Sequence, residues 1–299
     1  MRDLLDRLRT GDIVVGDGAW GTLLMTRGLR PGQAPETLNL TRPELLEEVA
    51  RLYLDAGAEI ITANTFGGSP ARLRQSGLDG ETESINRAGV EAVRRAAGDH
   101  AHVSASVGPC GHVLKPYGDA DPGEIGAGFA RQILALVEAG VDLICVETMT
   151  DLAEAILAVR AVRDVAPQVP VAATMTFERT RRGFFTVMGN SIEQAVRGLS
   201  EAGADILGSN CGNGIETMVE IAREFRARTD RPVAIQSNAG LPEHRAGALL
   251  YPDTPDLMAE QAGVLADLGV TLIGGCCGTT PAHIQAIRRI VDQRRARRS

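Results

Sequence analysis

The stretch Glu138-Ala-Gly-Val-Asp-Leu-Ile144 decides the fold, because related forms of it occur four times. The other copies are Asp55-Ala-Gly-Ala-Glu-Ile-Ile61, Glu201-Ala-Gly-Ala-Asp-Ile-Leu207 and Asp267-Leu-Gly-Val-Thr-Leu-Ile273. In each copy a glycine that can adopt the left-handed conformation ends a helix, and an apolar run then begins a strand. This internal repeat predicts that helices and strands alternate along the chain.

Short apolar runs and amphipathic stretches do alternate from one end of the sequence to the other. The runs are continuous, which is typical of parallel strands buried on both faces. The predicted strands are Ile13–Gly16, Glu59–Thr65, His102–Val107, Asp142–Glu147, Val171–Thr176, Ile206–Asn210, Val233–Ser237 and Leu272–Gly275. The predicted helices are Arg42–Ala56 (capped by Thr41), Glu83–Ala97, Glu124–Ala139, Leu152–Val165, Ile192–Ala202, Ile215–Arg228, Pro255–Leu268 and Pro281–Arg295.

Eight strands alternating with eight helices indicate an α/β protein with a closed (β/α)8 TIM barrel. The repeated turn precedes every second strand, as a barrel would produce. An open doubly wound sheet is the alternative. Because no Pro/Gly/Ser-rich linker divides the sequence, we expect a single domain over residues 1–299.

Composition excludes several classes of protein. A net charge of −7 argues against a nucleic-acid or anionic-membrane surface. Five cysteines in 299 residues are too few, and odd in number, for a disulfide scaffold. The first twelve residues carry charges throughout, unlike a signal peptide, and no apolar run of ~18 residues predicts a membrane span. We therefore expect a soluble, cytoplasmic protein with reduced thiols.

The barrel prediction places active-site residues at the carboxyl ends of the strands. Polar and thiol side chains occur there, mostly beside glycines. In chain order these segments are Asp17–Thr22, Asn64–Gly67, Gly108–Gly111, Glu147–Thr148, Thr176–Phe177, Asn210–Gly212, Asn238–Gly240 and Cys276–Thr279.

The segment Gly16-Asp-Gly-Ala-Trp-Gly21 matches the G-x-G-x-x-G pattern of dinucleotide-binding folds. Its context does not fit, because Gly28 and Pro35 interrupt the helix that should follow. The second strand also ends in Asn64 rather than in the acidic residue that would bind a ribose. Asp17 is therefore interpreted as a carboxylate at the mouth of the barrel.

Cys211, Cys276 and Cys277 follow the sixth and eighth strands, whose ends lie on the same side of a barrel. Three thiolates there can bind zinc and leave a fourth tetrahedral position open, as in catalytic zinc sites. The alternative is that all three are small buried side chains. Cys145, inside the fourth strand, is predicted to belong to the core, and Cys110 to the wall.

A zinc site with three thiolates favours alkylation of a substrate thiol, because the metal removes the proton of a fourth sulfur ligand near neutral pH. The nearby carboxylates Asp17 and Glu147 would then bind a substrate ammonium group. An acid/base pair, or a salt bridge from Glu147 to an arginine, are the alternatives. Asn64, Asn210 and Asn238 offer amides for a substrate carboxylate or for support of the metal.

The strand-end motifs resemble those of the homocysteine S-methyltransferases. They are Asp17-Gly-Ala-Trp-Gly-Thr22, Asn64-Thr-Phe66, Glu147-Thr148, Ser209-Asn-Cys211, Asn238-Ala-Gly240 and Gly274-Gly-Cys-Cys-Gly-Thr-Thr-Pro281. The resemblance implies a barrel that methylates homocysteine to methionine, with zinc on Cys211, Cys276 and Cys277. It further implies that Asp17 and Glu147 hold the amino group.

In the same resemblance, Gly18 corresponds to a backbone contact with the substrate. Asn238 corresponds to a residue that completes the zinc shell before homocysteine arrives.

The identity of the methyl donor is less constrained. Thr148 stands where the betaine-using branch has tyrosine, and the pattern is more similar to the homocysteine-binding module of cobalamin-dependent methionine synthase. No methylfolate or cobalamin module is present in the sequence, so we expect a methyl-corrinoid donor such as methylcobalamin, free or on a corrinoid protein, and not stably bound. The alternatives are betaine or S-methylmethionine as donor, or a non-catalytic homocysteine- and zinc-binding subunit of a larger methyltransferase complex. A zinc hydrolase is disfavoured because all three ligands are thiolates.

Overall fold

Parallel strands form a closed barrel in this computed structural model, which describes residues 3–30, 32–245 and 248–298. The strands are β1 (Val14–Val15), β2 (Ile60–Ala63), β3 (His102–Val107), β4 (Leu143–Met149), β5 (Val171–Met175), β6 (Glu178–Thr180), β7 (Gly183–Phe185), β8 (Ile206–Asn210), β9 (Val233–Ser237), β10 (Glu243–Arg245), β11 (Ala248–Leu250) and β12 (Leu272–Gly275). Eight of them form one sheet in the order β1-β12-β9-β8-β5-β4-β3-β2. A parallel bridge between Gly16 and Ile60 joins β1 to β2 and closes the sheet.

Helices surround the barrel. They are α1 (Leu4–Arg9), α2 (Gly21–Met25), α3 (Thr37–Thr41), α4 (Pro43–Asp55), α5 (Pro70–Arg74), α6 (Thr82–Ala97), α7 (Pro122–Glu138), α8 (Leu152–Val165), α9 (Ile192–Ala202), α10 (Ile215–Arg226), α11 (Pro255–Asp267) and α12 (Pro281–Arg298). One long helix follows each barrel strand, which confirms the predicted (β/α)8 architecture. None of the helices in the described ranges has the length and hydropathy needed to cross a bilayer.

The four repeated glycines adopt the backbone conformation that the sequence predicts. Their φ angles are +93° at Gly57, +87° at Gly140, +104° at Gly203 and +83° at Gly269. A side chain is strained in this region, whereas glycine adopts it freely. The repeat therefore ends each of these helices and directs the chain into the following strand.

The lower part of the barrel interior is apolar. Its side chains come from alternate strand positions and from α1, which closes the amino-terminal end: Leu4, Leu8, Val14, Ile60, Leu143, Cys145, Ala172, Ile206, Ala234 and Leu272. Because side chains alternate between the two faces of a strand, the next inward position on each strand lies one layer higher. These higher positions include Thr62, Glu147, Thr174 and Gln236. The interior thus changes from apolar to polar toward the carboxyl ends of the strands.

An ionic cluster lies at the amino-terminal end of the barrel, around Glu59. Its carboxylate accepts hydrogen bonds from Arg7 at 2.7 Å, Arg288 at 2.7 Å and Arg295 at 2.8 Å. Burial opposes the charge on Glu59, but the three guanidiniums outweigh it and hold its pKa below the ordinary value. The cluster ties α1 and α12 to the start of β2.

Several features of the chain differ from the prediction, and the short helices α1, α2, α3 and α5 were not predicted. Thr41 does not cap α4; its hydroxyl donates to the carbonyl of Thr37 at 2.8 Å inside α3, and Arg42 occupies the cap position. Two antiparallel hairpins, β6–β7 and β10–β11, follow β5 and β9 and were not predicted. Both extend from the carboxyl-terminal face of the barrel.

Candidate functional site

A cavity of about 590 Å³ opens at the carboxyl-terminal face and reaches into the polar layer of the barrel. Its lining contains most of the residues that the sequence singled out: Asp17, Gly18, Asn64, Glu147, Cys211, Cys276 and Cys277. The ends of β1, β2, β4, β8 and β12 bring these residues together. A cavity of this size at this face is the usual place of a ligand site in such a barrel.

The thiols of Cys211, Cys276 and Cys277 form a tight, partly exposed cluster. Their Sγ atoms all lie within 4.8 Å of one another, and those of Cys211 and Cys277 are 3.8 Å apart. Two sulfurs bound to one tetrahedral zinc at ~2.3 Å would be separated by about 3.8 Å. The donor set and its spacing therefore fit a zinc ion.

Backbone conformation and backbone hydrogen bonds bring the three thiols together. Cys211 has a φ of 59°, in the left-handed region that residues other than glycine rarely adopt. The amide of Cys276 donates to Ser237 at 2.7 Å, and the carbonyl of Cys277 accepts from Ala239 at 2.9 Å. At Gly278, a Cβ atom would lie 2.0 Å from the ring of Tyr251. These contacts fix both cysteines of the pair toward the cavity.

The charges of the cysteine cluster are interdependent. Hydrogen bonds from the thiols of Cys276 and Cys277 lower the pKa of Cys211, and the resulting thiolate raises the pKa of both neighbours. One negative charge is thus favoured in the empty cluster. Three thiolates at these distances require a bound cation, since like charges this close repel.

Asn238 lies beside the cluster, and its amide hydrogen-bonds to Cys211. Its Oδ1 atom is buried and has no hydrogen-bond partner among the described residues. Buried amide oxygens are almost always paired, so an unpaired one next to three thiols suits a ligand or a metal. This observation fits the role that the resemblance implies for Asn238.

Asp17 and Glu147 are carboxylates without a cationic partner in the described part of the chain. Asp17 accepts hydrogen bonds from the Thr62 amide at 2.7 Å, the Thr62 hydroxyl at 2.9 Å and the Trp20 indole at 2.8 Å. The Ser106 hydroxyl donates to Glu147. Among the described residues no arginine pairs with Glu147, which contradicts the salt-bridge alternative for this residue.

Burial raises the pKa of both carboxyl groups, to about 6 for Asp17 and about 7 for Glu147. Hydrogen bonds from Thr62, Trp20 and Ser106 oppose this effect but do not cancel it. The negative charge of Asp17 further raises the pKa of Glu147. Two buried, uncompensated carboxylates are chemically suited to binding an ammonium group.

The predicted wall and core residues lie where the sequence indicated. Cys145 belongs to the apolar interior layer, and Cys110 is fully buried with its amide donating to Glu154 at 2.7 Å. Both N–H groups of Asn64 are used within the protein, toward Pro35 at 2.9 Å and Asn39 at 2.8 Å. Asn64 therefore stabilises the wall of the cavity, and its amide nitrogen has no free N–H group for a substrate carboxylate.

Gly18 lies where a side chain cannot be accommodated. A Cβ atom there would lie 2.7 Å from the hydroxyl of Thr279 and 2.9 Å from the ring of Tyr53. Close packing therefore requires glycine at this position of the cavity lining.

The cavity lining also contains residues to which the sequence reasoning gave no role of their own. Trp20 and Phe66 contribute aromatic surface, and Glu36 contributes a carboxylate that is 3% exposed. The Glu36 carboxylate accepts a hydrogen bond from the Gly67 amide at 2.6 Å, and burial raises its pKa. Trp20 and Phe66 stand in strand-end motifs of the sequence, whereas no motif indicated Glu36.

Comparisons with known proteins agree on one family. The model of the family described as homocysteine S-methyltransferase matches residues 14–291. The chain is 35% identical to methionine synthase of Mycobacterium tuberculosis (strain ATCC 25618 / H37Rv) and 34% identical to that of Mycobacterium leprae (strain TN). Each alignment covers 97% of this chain and 25% of the relative, so the chain spans about a quarter of their length.

A solved structure is similar over the whole barrel. The homocysteine methyltransferase MmuM from Escherichia coli, in its metallated form, superposes with a TM-score of 0.80 at 25% identity. The superposition covers 96% of this chain and 98% of that protein.

Proposed function

The chain belongs to the homocysteine S-methyltransferase family, and we propose that it transfers a methyl group to the sulfur of homocysteine at a zinc ion, giving methionine. One observation carries this proposal. Three convergent thiols and two uncompensated carboxylates line the same cavity. Homocysteine carries a thiol and an ammonium group on one short chain, so it complements both clusters at once.

In this proposal Cys211, Cys276 and Cys277 hold zinc, and Asn238 completes its shell before the substrate arrives. Bound zinc would lower the pKa of the substrate thiol and keep its sulfur nucleophilic near neutral pH. The similar MmuM structure is a metallated form, which supports metal binding by this chain. The cluster requires reduced cysteines, which fits a cytoplasmic location.

Asp17 and Glu147 hold the ammonium group of homocysteine, whose single positive charge partly offsets the two buried carboxylates. Gly18 offers its backbone for a further contact with the amino acid part of the substrate. These interactions orient the substrate so that its thiol reaches the cysteine cluster. The whole chain then serves as one homocysteine-binding unit.

For the methyl donor we propose a methyl-corrinoid, such as methylcobalamin, either free or carried by a separate corrinoid protein. The similarity to two methionine synthases agrees with methionine as the product, and the resemblance of the sequence motifs to the cobalamin-dependent branch favours the corrinoid. Thr148 follows Glu147 at the cavity, where the betaine-using branch has a tyrosine. The corrinoid would approach the open carboxyl-terminal face without being held permanently.

A small cationic donor, betaine or S-methylmethionine, is the second candidate. The observation that favours it is that the Glu36 carboxylate and the aromatic side chains of Trp20 and Phe66 line the same cavity. Carboxylates and aromatic faces both attract a methylated cation.

The deciding experiment measures methionine formed from homocysteine with each donor in turn. Zinc-loaded protein is supplied with methylcobalamin, betaine or S-methylmethionine, and zinc content is measured separately. Turnover with betaine alone would contradict the corrinoid proposal. Homocysteine binding without turnover from any donor would favour a non-catalytic subunit.

Matched cysteine variants test the metal site. Cys276→Ala should lose both zinc and methyl transfer, whereas Cys110→Ala, at a buried thiol outside the cluster, should keep both. Full zinc and full activity in Cys276→Ala would show that the ligands have been assigned wrongly.

A further inference from the structure

Asn210 is the last residue of β8 and directly precedes Cys211, and its side chain is completely buried. Its Nδ2 donates to the Thr148 hydroxyl at 2.8 Å, to Glu147 Oε2 at 3.4 Å and to Cys276 Sγ at 4.0 Å. Its Oδ1 accepts from the Thr148 amide at 2.8 Å and from the Thr174 hydroxyl at 2.8 Å. Both N–H groups and the carbonyl oxygen are therefore used inside the protein, and Asn210 has no group left for a substrate.

These hydrogen bonds connect two strands that are not neighbours in the sheet. Asn210 lies on β8, its partners Glu147 and Thr148 lie at the end of β4, and β5 runs between them. Thr174 on β5 supplies one of the donors. A single amide thus joins the strand that carries Cys211 to the strand that carries Glu147.

The backbone is unusual at Thr148, which bonds to the Asn210 amide, and at Cys211, which follows Asn210 in the chain. Thr148 has a φ of 61° and Cys211 a φ of 59°, and they are the two described residues other than glycine with positive φ. The left-handed region is especially unfavourable for a β-branched residue such as threonine. Such conformations persist when surrounding contacts hold them, and they concentrate at functional sites. Two hydrogen bonds of the Asn210 amide, from the Thr148 backbone amide and to the Thr148 hydroxyl, hold Thr148 in this conformation.

We propose that Asn210 is a positioning residue that sets the separation between Glu147 and Cys211. It thereby selects thiols that carry an ammonium group at the spacing found in homocysteine. The proposal rests on the proposed function, because it assigns the ammonium group to Glu147 and the sulfur to the metal cluster. Asn210 acts through these two residues and does not touch the substrate.

The test compares two thiols that differ only in the amino group. L-homocysteine and 4-mercaptobutyrate are titrated by calorimetry into zinc-loaded protein, so that the readout does not depend on the methyl donor. In Asn210→Asp the size is kept but both N–H donors are lost. We expect homocysteine to bind at least ~10-fold more weakly and 4-mercaptobutyrate to change by less than ~3-fold.

Two further variants distinguish a positioning role from a general loss of stability. Asn86 is another buried asparagine, whose amide donates to Gly68 and Thr82 at 2.8 and 2.7 Å. Asn86→Asp should leave the ratio of the two affinities unchanged. Thr174→Val removes one donor to Asn210 with little change in size, and it should weaken homocysteine selectively but less than Asn210→Asp.

The outcomes distinguish a failure of this inference from a failure of the proposed function on which it rests. If Asn210→Asp and Thr174→Val weaken both thiols equally, or neither, Asn210 does not set the spacing and the inference is overturned. If the unaltered protein binds zinc and homocysteine in that experiment, the proposed function still stands. If the unaltered protein binds neither, the proposed function is wrong and the inference fails with it.

Discussion

Replacing Glu147 by glutamine removes a buried negative charge while keeping the size of the side chain. We expect the empty protein to become more stable, and the gain to grow with pH. The reason is that burial raises the pKa of Glu147 from 4.5 to about 7, with no cationic partner among the described residues to offset it. Without a bound ammonium group, a charged Glu147 therefore lowers the stability of the folded protein.

The sign and the size of the effect follow from proton linkage. Between pH 4.5 and about 7 the folded protein keeps a proton on Glu147 that the unfolded chain has released. Stability is therefore lost as pH rises through this window, and the full cost is reached above pH 7. At about 1.4 kcal/mol per pKa unit, this cost is about 1 kcal/mol at pH 5.5 and about 3 kcal/mol at pH 8.5.

The assay is urea unfolding of metal-free, reduced protein, followed by circular dichroism at pH 5.5 and pH 8.5. The advantage of Glu147→Gln over the unaltered protein should increase by about 2 kcal/mol between the two pH values. Glu91→Gln, at an exposed position on α6, is the control and should show no such increase. A constant difference for Glu147→Gln would refute the reasoning, because a lost hydrogen bond alone does not depend on pH.

The same variant should bind homocysteine poorly while it keeps zinc. Removing one partner of a buried charge pair costs about 2 kcal/mol or more, which is at least a ~30-fold loss of affinity. Calorimetric titration of zinc-loaded protein measures it. An unchanged affinity would exclude Glu147 from binding the ammonium group.

Three other substitutions test separate parts of the molecule. Ser106→Ala removes a donor to Glu147 and should shift the pH midpoint of homocysteine binding upward by up to ~1 unit, measured by titration across pH; an unchanged midpoint would show that this hydroxyl does not stabilise the charge. Gly208→Ala places a Cβ atom 1.8 Å from the carbonyl oxygen of Ala234 and should leave little soluble folded protein, and near-normal expression and melting would contradict this. Glu59→Gln disrupts the cluster at the opposite end of the barrel and should lower the unfolding free energy by about 3 kcal/mol without changing homocysteine affinity; a loss of affinity would show that this end is coupled to the site.

The fold was predictable because its signals are local. A glycine in the left-handed conformation followed by a continuous apolar run requires no knowledge of the rest of the chain, and β3, β8, β9 and β12 have the predicted bounds. The hairpins β6–β7 and β10–β11 were missed because their three-residue strands are too short to show a period. Thr41 was misassigned because its hydroxyl bonds backward within α3.

For the site, the sequence could predict which residues come together but not the contacts that hold them. Barrel geometry places every strand end at one face, so the sequence could group Cys211 with Cys276 and Cys277. The network around Asn210 could not be inferred, because it depends on a side chain that reaches across β5 to a strand distant in the sequence. The sequence did not indicate the positive φ of Thr148 either, because a residue with positive φ is normally glycine.

The change from an apolar to a polar interior gives the cavity a floor inside the barrel and an opening toward the loops. In the proposed reaction, homocysteine occupies that floor and the methyl donor meets it from above. If both substrates use this opening, we expect homocysteine to bind before the methyl donor and methionine to leave after the demethylated donor.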